Sequence, residues 1–404
     1  MIAALAWRNI WRQPIRTALS VGGMAFASVL LVFMLSFQFG AYDTMKASML
    51  KIADGYGQFQ PPGYHDDPDI AARIMEPEAL LADLAGLPAV AEAAPRATGF
   101  ALLASGERSF AAAVIGIDPE REPKVTTFST LVARGRALAP GDDAAIVIGA
   151  GLARNMGLAP GDSVTLLGTA ADGSVAADVL KVVGVFQTGM PEIDRQIAQM
   201  PLARFNDSFY MEGGVNVVAV GGDFHAVAGA TPALGRIAAR HGLVYLDWGD
   251  LHPEVKSAIQ LDMTTAVLLY ATLVVVVVFV ILNTLYMSVL ERTREFGMLL
   301  ALGMKPGQIG RLVWVEMILL SVMGTGLGVG LGMAVTAWVQ HVGIAFEGME
   351  EIYRQWGLPT RMYPAMTPFR VLIGPGVIVV AISLLGIIPY RRTLGLEPVT
   401  AMAS

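Results

Sequence analysis

Four long apolar runs divide the chain into membrane-length segments. The first extends from Leu19 to Ala41 without a charged residue, and the others cover residues 264–290, 312–339 and 369–390. A helix of roughly 20 apolar residues crosses the hydrocarbon core of a bilayer, which is about 30 Å thick. The pattern therefore predicts four membrane-spanning helices. The first is predicted to be an uncleaved anchor, because no small-residue cleavage pattern follows its apolar run.

Basic residues cluster beside particular ends of these runs. They are Arg8, Arg12 and Arg16 before the first run, Arg292, Arg294, Lys305 and Arg311 between the second and third, and Arg391 and Arg392 after the fourth. Short segments rich in Lys and Arg are retained on the cytoplasmic side of a membrane. Residues 1–18, 291–311 and 391–404 are therefore predicted to lie inside, and residues 42–263 and 340–368 outside.

The segment before the first run has the pattern of a helix lying in the membrane interface. Trp7 and Trp11 are four residues apart, and Arg8 and Arg12 have the same spacing. A helix therefore places the indoles in one stripe and the guanidiniums in a neighbouring stripe, which fits the boundary between lipid and water. Pro14 is predicted to end or kink this helix before the span begins. A basic aromatic anchor with no further role is the alternative.

Between the first two spans, short β-type runs alternate with turn signals and helical patches. The β-type runs are Phe110–Ile117, Ala144–Ile148, Ser163–Leu167 and Val179–Phe186, and the helical patches are Pro77–Ala85 and Gly149–Met156. Such runs, bounded by Gly, Pro and Asp, indicate strands and turns. The predicted fold class is a membrane α-helical protein with four transmembrane helices and a large mixed α/β extracytoplasmic domain inserted between helices 1 and 2.

The composition agrees with this hybrid architecture. Hydrophobic residues make up 54% of the 404 residues and charged residues 15%, whereas soluble domains carry about 25% charged residues. The net charge of −6 gives no basic footprint for a phosphate backbone, so nucleic acid is not an expected partner. The chain has no cysteine, which excludes disulfides, thiolate catalysis and cysteine-based metal sites.

The sequence contains no persuasive catalytic, cofactor-binding or metal-binding constellation. Ser48 and Lys51 match S-x-x-K, but the K-T-G motif that accompanies it is absent. His65 and Asp66 are hard metal ligands by type, yet no second His or Glu cluster follows, so a solvated loop is the preferred interpretation. The chain also lacks G-x-x-x-x-G-K-[ST], the phosphate-binding loop. We therefore expect a non-enzymatic chain that does not hydrolyse ATP itself.

The loop between the second and third runs carries charges of both signs on a short helical pattern. Helix formers extend from Arg294 to Leu302 and are stopped by Gly303 and Pro306. The residues predicted to face a partner are the charged Glu291, Arg292, Arg294 and Glu295 and an apolar anchor of Phe296 and Leu300, which are four residues apart. Ordinary solvated loop charges are the alternative.

The stretch from Asn283 to Glu316 resembles the hallmark of the FtsX/MacB-type ABC permease family. That hallmark is N-x-x-x-x-S-V-x-E-R-x-R-E-[FIV]-G-x-x-x-A-[LI]-G, followed by a glutamate at the start of the next span. The matching residues are Asn283, Ser288, Glu291, Arg292, Arg294, Glu295, Phe296, Gly297, Ala301, Gly303 and Glu316. Similarity extends to Gly116–Pro119 and to Glu397–Val399, so it covers nearly the whole length. Residues 63–68 and 116–120 are most similar to the lipoprotein-releasing branch.

The resemblance implies a permease subunit whose ATPase is a separate polypeptide. Two cytoplasmic ATPase subunits would bind ATP and Mg²⁺, and a second permease chain, identical or related, would complete the assembly in the bacterial inner membrane, with the large domain in the periplasm. It also implies that the ATPase receives residues 294–302 as a coupling helix. The residues assigned to this coupling segment are Glu291, Arg292, Arg294, Glu295, Phe296, Gly297, Leu300 and Gly303.

Glycines recur at helical spacing in the third predicted span. Gly324, Gly328 and Gly332 are four residues apart, and Gly326 and Gly330 repeat likewise on a neighbouring side. Small residues at this spacing allow two helix backbones to approach closely. The sequence leaves open whether the neighbouring helix belongs to the same chain, which we favour, or to a second permease.

Asn283 and Glu316 are polar positions within the predicted spans. An ionised carboxylate inside a membrane is costly unless it is paired or faces water. We expect Arg311 or another basic group at the cytoplasmic end to neutralise Glu316 and to tie the third span to the coupling segment. A glutamate that merely extends towards the interface is the alternative.

The function expected from the resemblance is an ATP-driven change in outer-domain shape that extracts or transports a lipoprotein or another lipid-anchored substrate. Acyl chains are then expected near Met34, Phe37, Phe39, Met263 and Leu268, although simple lipid contact explains the same residues. Membrane lipid, a lipoprotein and a periplasmic carrier or adaptor are expected partners. The alternatives are a tripartite efflux permease for hydrophobic small molecules and an FtsX-like signalling permease that controls a cell-wall hydrolase.

Overall fold

The computed structural model describes residues 2–345, 348, 353 and 360–394, except for the side chains of residues 285, 288, 389 and 392–394. The side chain of the motif residue Ser288 and the motif residues Glu397–Val399 therefore lie outside the described part. The chain divides into two compact units. The membrane unit contains the described residues up to Tyr42, residues 258–345 and residues from 361 onwards, and the α/β domain contains residues 43–257.

The membrane unit consists mainly of long helices, and the helices of the α/β domain are shorter. In chain order the helices are α1 (Ile2–Ile10), α2 (Pro14–Ala53), α3 (Pro77–Ala85), α4 (Glu122–Val125), α5 (Ala150–Met156), α6 (Pro191–Gln196), α7 (Leu202–Ser208), α8 (Phe224–Gly229), α9 (Thr231–Arg240), α10 (Trp248–Leu251), α11 (Pro253–Glu291), α12 (Thr293–Ala301), α13 (Pro306–Val342), α14 (Pro368–Leu385) and α15 (Ile387–Leu394). Four of them, α2, α11, α13 and α14, are long and apolar enough to cross a membrane, which confirms the predicted number of spans. Each of these four begins at a proline, whose fixed φ and missing N–H suit the first helical position.

The fourth spanning helix is shorter than the sequence predicts. The apolar run continues to residue 390, but α14 ends at Leu385 and a separate helix, α15, follows after Gly386. A Cβ on Gly386 would lie 3.1 Å from Met317 Cε and 3.2 Å from Trp314 Cδ1, both on α13. The break therefore falls at a glycine that packs closely against α13.

The strands belong mainly to the α/β domain. They are β1 (Gly57–Gln60), β2 (Val90–Ser105), β3 (Arg108–Ile117), β4 (Val132–Gly135), β5 (Ala145–Gly149), β6 (Ser163–Thr169), β7 (Val175–Phe186), β8 (Ile197–Pro201), β9 (Val217–Gly222) and β10 (Val244–Leu246), with a short pair, β11 (Ile344–Ala345) and β12 (Arg361–Met362), in the membrane unit. The four predicted β-type runs fall in β3, β5, β6 and β7. The longest strand, β2, was not predicted, because Pro95 and Gly99 interrupt its apolar pattern.

The domain sheet closes partly on itself. Its strand order is β10-β1-β9-β2-β3-β8-β5-β7-β4, and β6 pairs with both β2 and β7. Strands β2, β3, β8, β5, β7 and β6 therefore form a ring, and one buried cluster takes apolar side chains from all six, among them Leu103, Val114, Ile146, Leu166, Leu180 and Met200. A second buried cluster joins β1 and β9 to α3 and α9. These observations confirm a mixed α/β domain inserted between the first and second spanning helices.

A buried ion pair holds the end of α2 within the α/β domain. Arg96, which is 6% exposed, donates hydrogen bonds to both carboxylate oxygens of Glu122 at 3.0 and 2.7 Å. The same guanidinium donates to the carbonyl of Ala53, the last residue of α2, at 2.6 Å. The Thr126 hydroxyl completes the arrangement by donating to Glu122 at 2.5 Å. Every polar group of the pair is thus satisfied inside the fold.

Candidate functional site

The loop that joins the second and third spanning helices folds into the short helix α12. Arg292 precedes its first residue, Thr293, and the helix ends at Ala301. Gly303 has a φ of +93°, a left-handed conformation that glycine adopts without strain and that turns the chain away from the helix. The sequence pattern of helix formers stopped by glycine and proline is therefore realised in the fold.

One face of α12 is buried against its own chain. The Phe296 side chain is 1% exposed and Gly297 is buried, while Leu300 is half-buried at the edge of the same apolar cluster. That cluster includes Ile309 and Met317 of α13. The interpretation of Phe296 as an anchor for a partner is therefore wrong, because the ring is already buried within the membrane unit.

The opposite face of α12 is exposed. It carries Arg294 and, at four-residue spacing, Met298 and Leu302, which are 52% and 84% exposed. Gly303 is exposed beside Leu302. Sequence reasoning assigned the apolar contact to Phe296 and missed Met298 and Leu302, although the spacing from Arg294 provided a signal for them.

Arg292 points inwards rather than towards a partner. Its guanidinium lies 3.3 Å from both carboxylate oxygens of Glu316 and 3.2 Å from Glu295, and it stands over the Phe296 ring at 5.3 Å. The side chains of Arg292 and Glu316 are only 13% and 15% exposed. Among the described ion pairs, Arg292 and not Arg311 is therefore the group that neutralises Glu316 and ties α13 to the start of α12.

Two further arginines connect the beginning of the chain to the same loop. Arg16, in the first turn of α2, pairs with Glu291 at 2.9 Å and donates to the Thr284 carbonyl in α11. Arg12, between α1 and α2, lies 3.8 Å from Glu295. Ion pairs thus link the segment around α12 to α2 and α13, and to the turn after α1. We call this region of the membrane unit the arginine end.

These charged groups surround a cavity of about 150 Å³. Its lining comes from the end of α1, the first turns of α2, the start of α12 and the beginning of α13, and consists of Asn9, Ile10, Arg12, Gln13, Arg16, Thr17, Ser20, Arg292, Glu295, Glu316 and Leu320. The charged members are three arginines and two glutamates. The cavity therefore leaves open space beside these ion pairs.

Asn283 does not belong to this cluster. It lies on α11 within the membrane unit, and its side chain is exposed. The sequence places an amide inside the second span, and the structure puts that amide on the helix surface.

A second polar network, which sequence reasoning missed, joins α2 and α11 at the other end of the membrane unit. Gln38 donates to Tyr42 at 2.8 Å and to Asp262 at 3.3 Å, and the Tyr42 hydroxyl also donates to Asp262. Tyr270 donates to the Gln38 carbonyl oxygen at 2.7 Å. The four-residue spacing of Gln38 and Tyr42 was a weak signal, but their partners lie more than two hundred residues away in sequence.

The residues proposed to meet acyl chains lie near this network with different exposures. Leu268 and Met34 are 66% and 45% exposed, whereas Phe37, Phe39 and Met263 are half-buried. The Arg370 guanidinium of α14 lies over the Phe39 ring, with its Cζ 4.7 Å from the ring centroid. Of these five residues, Met34 and Leu268 are therefore the exposed ones.

The glycine stripe of α13 packs against α2 of the same chain. A Cβ on Gly328 would lie 2.5 Å from both the Ala25 carbonyl oxygen and Ser28 Cβ, and those on Gly324 and Gly332 would also contact α2. The structure thus gives this stripe the intrachain neighbour. A Cβ on Gly326 or Gly330 would meet no atom of the described chain within 4 Å.

Comparison with known proteins matches both units. Residues 17–237 match the family model of the MacB-like periplasmic core domain, and residues 267–398 match that of the FtsX-like permease C-terminal region. The chain is 28% identical to the lipoprotein-releasing system transmembrane protein LolC of Xylella fastidiosa, over 68% of this chain and 69% of that protein. It is 24% identical to LolC of Neisseria meningitidis serogroup B, over 82% of this chain and 80% of that protein. It is also 29% identical to the macrolide export ATP-binding/permease protein MacB of Wolinella succinogenes, over 31% of this chain and 16% of that protein.

Proposed function

The chain belongs to the FtsX/MacB-type family of ABC transporter permeases, and from this premise we propose that it couples ATP hydrolysis by a separate ATPase subunit to a conformational change of its α/β domain. One observation carries the proposal. Ion pairs join the segment around α12 to α2 through Arg16 and to α13 through Glu316. A force applied to α12 is therefore shared by several spanning helices at once.

The exposed face of α12 is the surface that we assign to the ATPase. Met298 and Leu302 offer an apolar contact, and Arg294 beside them offers a charge. Interfaces concentrate their binding energy in such desolvated apolar and arginine contacts. In this proposal the arginine end is cytoplasmic and the α/β domain is periplasmic, in a bacterial inner membrane. Two ATPase subunits, which bind ATP and Mg²⁺, act with two permease chains.

The substrate that we propose is a lipoprotein or another lipid-anchored molecule. The two LolC relatives align over 68% and 82% of this chain, whereas the MacB relative aligns over 31%. Met34 and Leu268 are the exposed candidates for acyl-chain contact. Efflux of a hydrophobic small molecule is the second candidate, because the MacB relative spans part of the same chain. Signalling to a cell-wall hydrolase is the third, because the FtsX-like model covers residues 267–398.

The ATPase contact is tested by a matched pair of substitutions. Met298→Asp places a charge on the exposed face of α12, and Met75→Asp places the same charge on the α/β domain at nearly equal exposure, 52% and 50%. Hot-spot residues contribute about 2 kcal/mol or more, so Met298→Asp should weaken retention of the ATPase on the purified permease by about thirtyfold or more. Met75→Asp should leave it unchanged.

The same purification decides the substrate class. Lipoprotein in the complex supports release, a hydrophobic small molecule supports efflux, and a hydrolase supports signalling. Equal ATPase retention by both variants, or no ATPase with the unmodified chain, would contradict the coupling role of α12.

A further inference from the structure

The cavity at the arginine end opens beside an apolar track on α2. A neighbouring groove shares Gln13 and Arg16 with the cavity, and its full lining is Gln13, Pro14, Ile15, Arg16, Leu19 and Glu291. Ile15 and Leu19 are 79% and 72% exposed, and Phe26 continues the same helix face at 66%. Polar and apolar linings thus meet at Arg16, which is the arrangement an amphipathic ligand requires.

The length and level of this track match one lipid acyl chain. From Ile15 to Phe26 the helix rises about 16 Å, roughly half the hydrocarbon thickness of a bilayer. Trp7 and Trp11 of the preceding segment are 45% and 57% exposed and touch edge to face, as aromatic residues do at the membrane interface. The cavity therefore lies at the depth of lipid headgroups.

The cavity also has cationic groups available for an anion. Arg292 is held by Glu316 and Glu295. Arg12 is 66% exposed and approaches Glu295 only to 3.8 Å, which is longer than a hydrogen bond. Arg16 lines both the cavity and the groove, and its side chain, 22% exposed, already pairs with Glu291 at 2.9 Å, so an anion would have to displace that carboxylate. A phosphate between Arg12 and Arg16 would accept charge-assisted hydrogen bonds from both.

We propose that this cavity binds the phosphate headgroup of an anionic phospholipid, with one acyl chain along Ile15, Leu19 and Phe26. Basic pockets between membrane helices are suited to such headgroups. The bound phosphate competes with Glu295 for Arg12 and with Glu291 for Arg16. Lipid binding therefore loosens the ion pairs that hold the segment around α12, which makes the lipid a regulator of coupling. The site requires only a membrane-embedded chain and is independent of the proposed substrate.

Native mass spectrometry of the purified full-length chain in detergent tests the site without ATP or transport substrate. Titration with phosphatidylglycerol and with phosphatidylcholine should show one retained phosphatidylglycerol per chain and at least tenfold weaker phosphatidylcholine binding. Each guanidinium near a lipid surface is worth about fivefold in affinity, so Arg12→Gln should weaken binding about fivefold and Arg12→Gln with Arg16→Gln about twenty-fivefold. Arg311→Gln removes the same charge from an exposed position of α13 outside the cavity and should change binding less than twofold.

Several results would overturn the assignment. Equal binding of both lipids, or equal losses from Arg12→Gln and Arg311→Gln, would show that only surface charge attracts the lipid. Displacement of phosphatidylglycerol by millimolar inorganic phosphate would show that the cavity takes free phosphate. Because Arg12 is exposed, Arg12→Gln keeps the test valid even if the double variant does not fold. Hydrogen exchange in α12 should rise when phosphatidylglycerol binds, and unchanged exchange would refute the competition with Glu295 and Glu291.

Discussion

The α/β domain and the membrane unit each contain a shielded arginine–glutamate pair, and the two pairs are built differently. Arg96 and Glu122 have side chains 8% and 2% exposed and meet at 2.7 Å. Arg292 and Glu316 are 13% and 15% exposed and meet at 3.3 Å. The first pair is completed by Thr126 and the Ala53 carbonyl, whereas the second borders a cavity of about 150 Å³ and has further charged groups within reach.

This difference separates an ion pair with one fixed arrangement from an ion pair whose arginine has a second carboxylate within reach. A buried charge without an alternative partner holds a single geometry, because breaking the pair leaves an uncompensated charge. Arg292 has an alternative, since Glu295 lies 3.2 Å away on the other side of its guanidinium. The domain pair therefore fixes the end of α2 in place, and the membrane pair permits small rearrangements of α12 at modest cost.

Breaking the Arg96–Glu122 ion pair should have the largest effect on stability. Glu122→Ala leaves the Arg96 guanidinium buried without a carboxylate and should lower the free energy of unfolding of the α/β domain by about 3–5 kcal/mol. Hydrogen exchange of β2 in the full-length chain measures the loss locally. Lys124→Ala, in the same helix α4, removes a surface pair with Glu92 from a side chain 61% exposed and should cost less than about 1 kcal/mol. Equal losses of stability from the two variants would show that the buried ion pair contributes no more than the surface ion pair.

Leaving Arg292 without any carboxylate partner should need two substitutions. Glu316→Gln and Glu295→Gln each leave Arg292 one carboxylate, so each alone should lower the stability of α12 by about 1 kcal/mol. The double variant removes both partners of a side chain only 13% exposed, and its cost should exceed the sum of the single costs by about 0.5–3 kcal/mol. Hydrogen exchange across Thr293–Ala301 provides the measurement. Strict additivity would mean that Arg292 does not exchange partners.

The sequence predicts much of the fold but only part of the site, for a physical reason. Hydropathy alone identifies four spans, and the Gly303–Pro306 stop predicts α12. Which arginine points inwards is not encoded locally, because Arg292 and Arg294 differ by about 200° of helix rotation and either could face α13. Tertiary packing determines which arginine points inwards, because Phe296 is buried and the Arg292 guanidinium lies over its ring.

The polar network at the other end of the membrane unit illustrates a different limit. Gln38 and Asp262 are separated by 224 residues, and their contact depends on how α2 and α11 pair. No local periodicity reports such a pairing. The strand β2 is a milder case, since Pro95 and Gly99 hide a continuous strand that neighbouring strands hold in place.

A third pair, which is more exposed than either of these two, should titrate and give the smallest effect. His252, just before α11, has Nε2 3.1 Å from Asp54 and Nδ1 3.2 Å from Glu254, and the hydrogen bond with Asp54 outweighs burial and raises the pKa of His252 above 6.5. The protonated contact therefore stabilises the α/β domain fully below about pH 6.5, and this contribution is lost as pH rises through the folded-state pKa. We expect on the order of 1 kcal/mol or less for a pair of this exposure, measured as weaker amide protection around residues 248–256 at high pH after correction for intrinsic exchange.

Two variants test whether His252 is the titrating group. His252→Gln, which cannot titrate, should abolish the pH dependence of amide protection around residues 248–256. His241→Gln, which alters a separate pair with Asp83, should preserve it. A pH response that persists in His252→Gln would assign the titration to another group and would show that the His252 contact does not respond to pH.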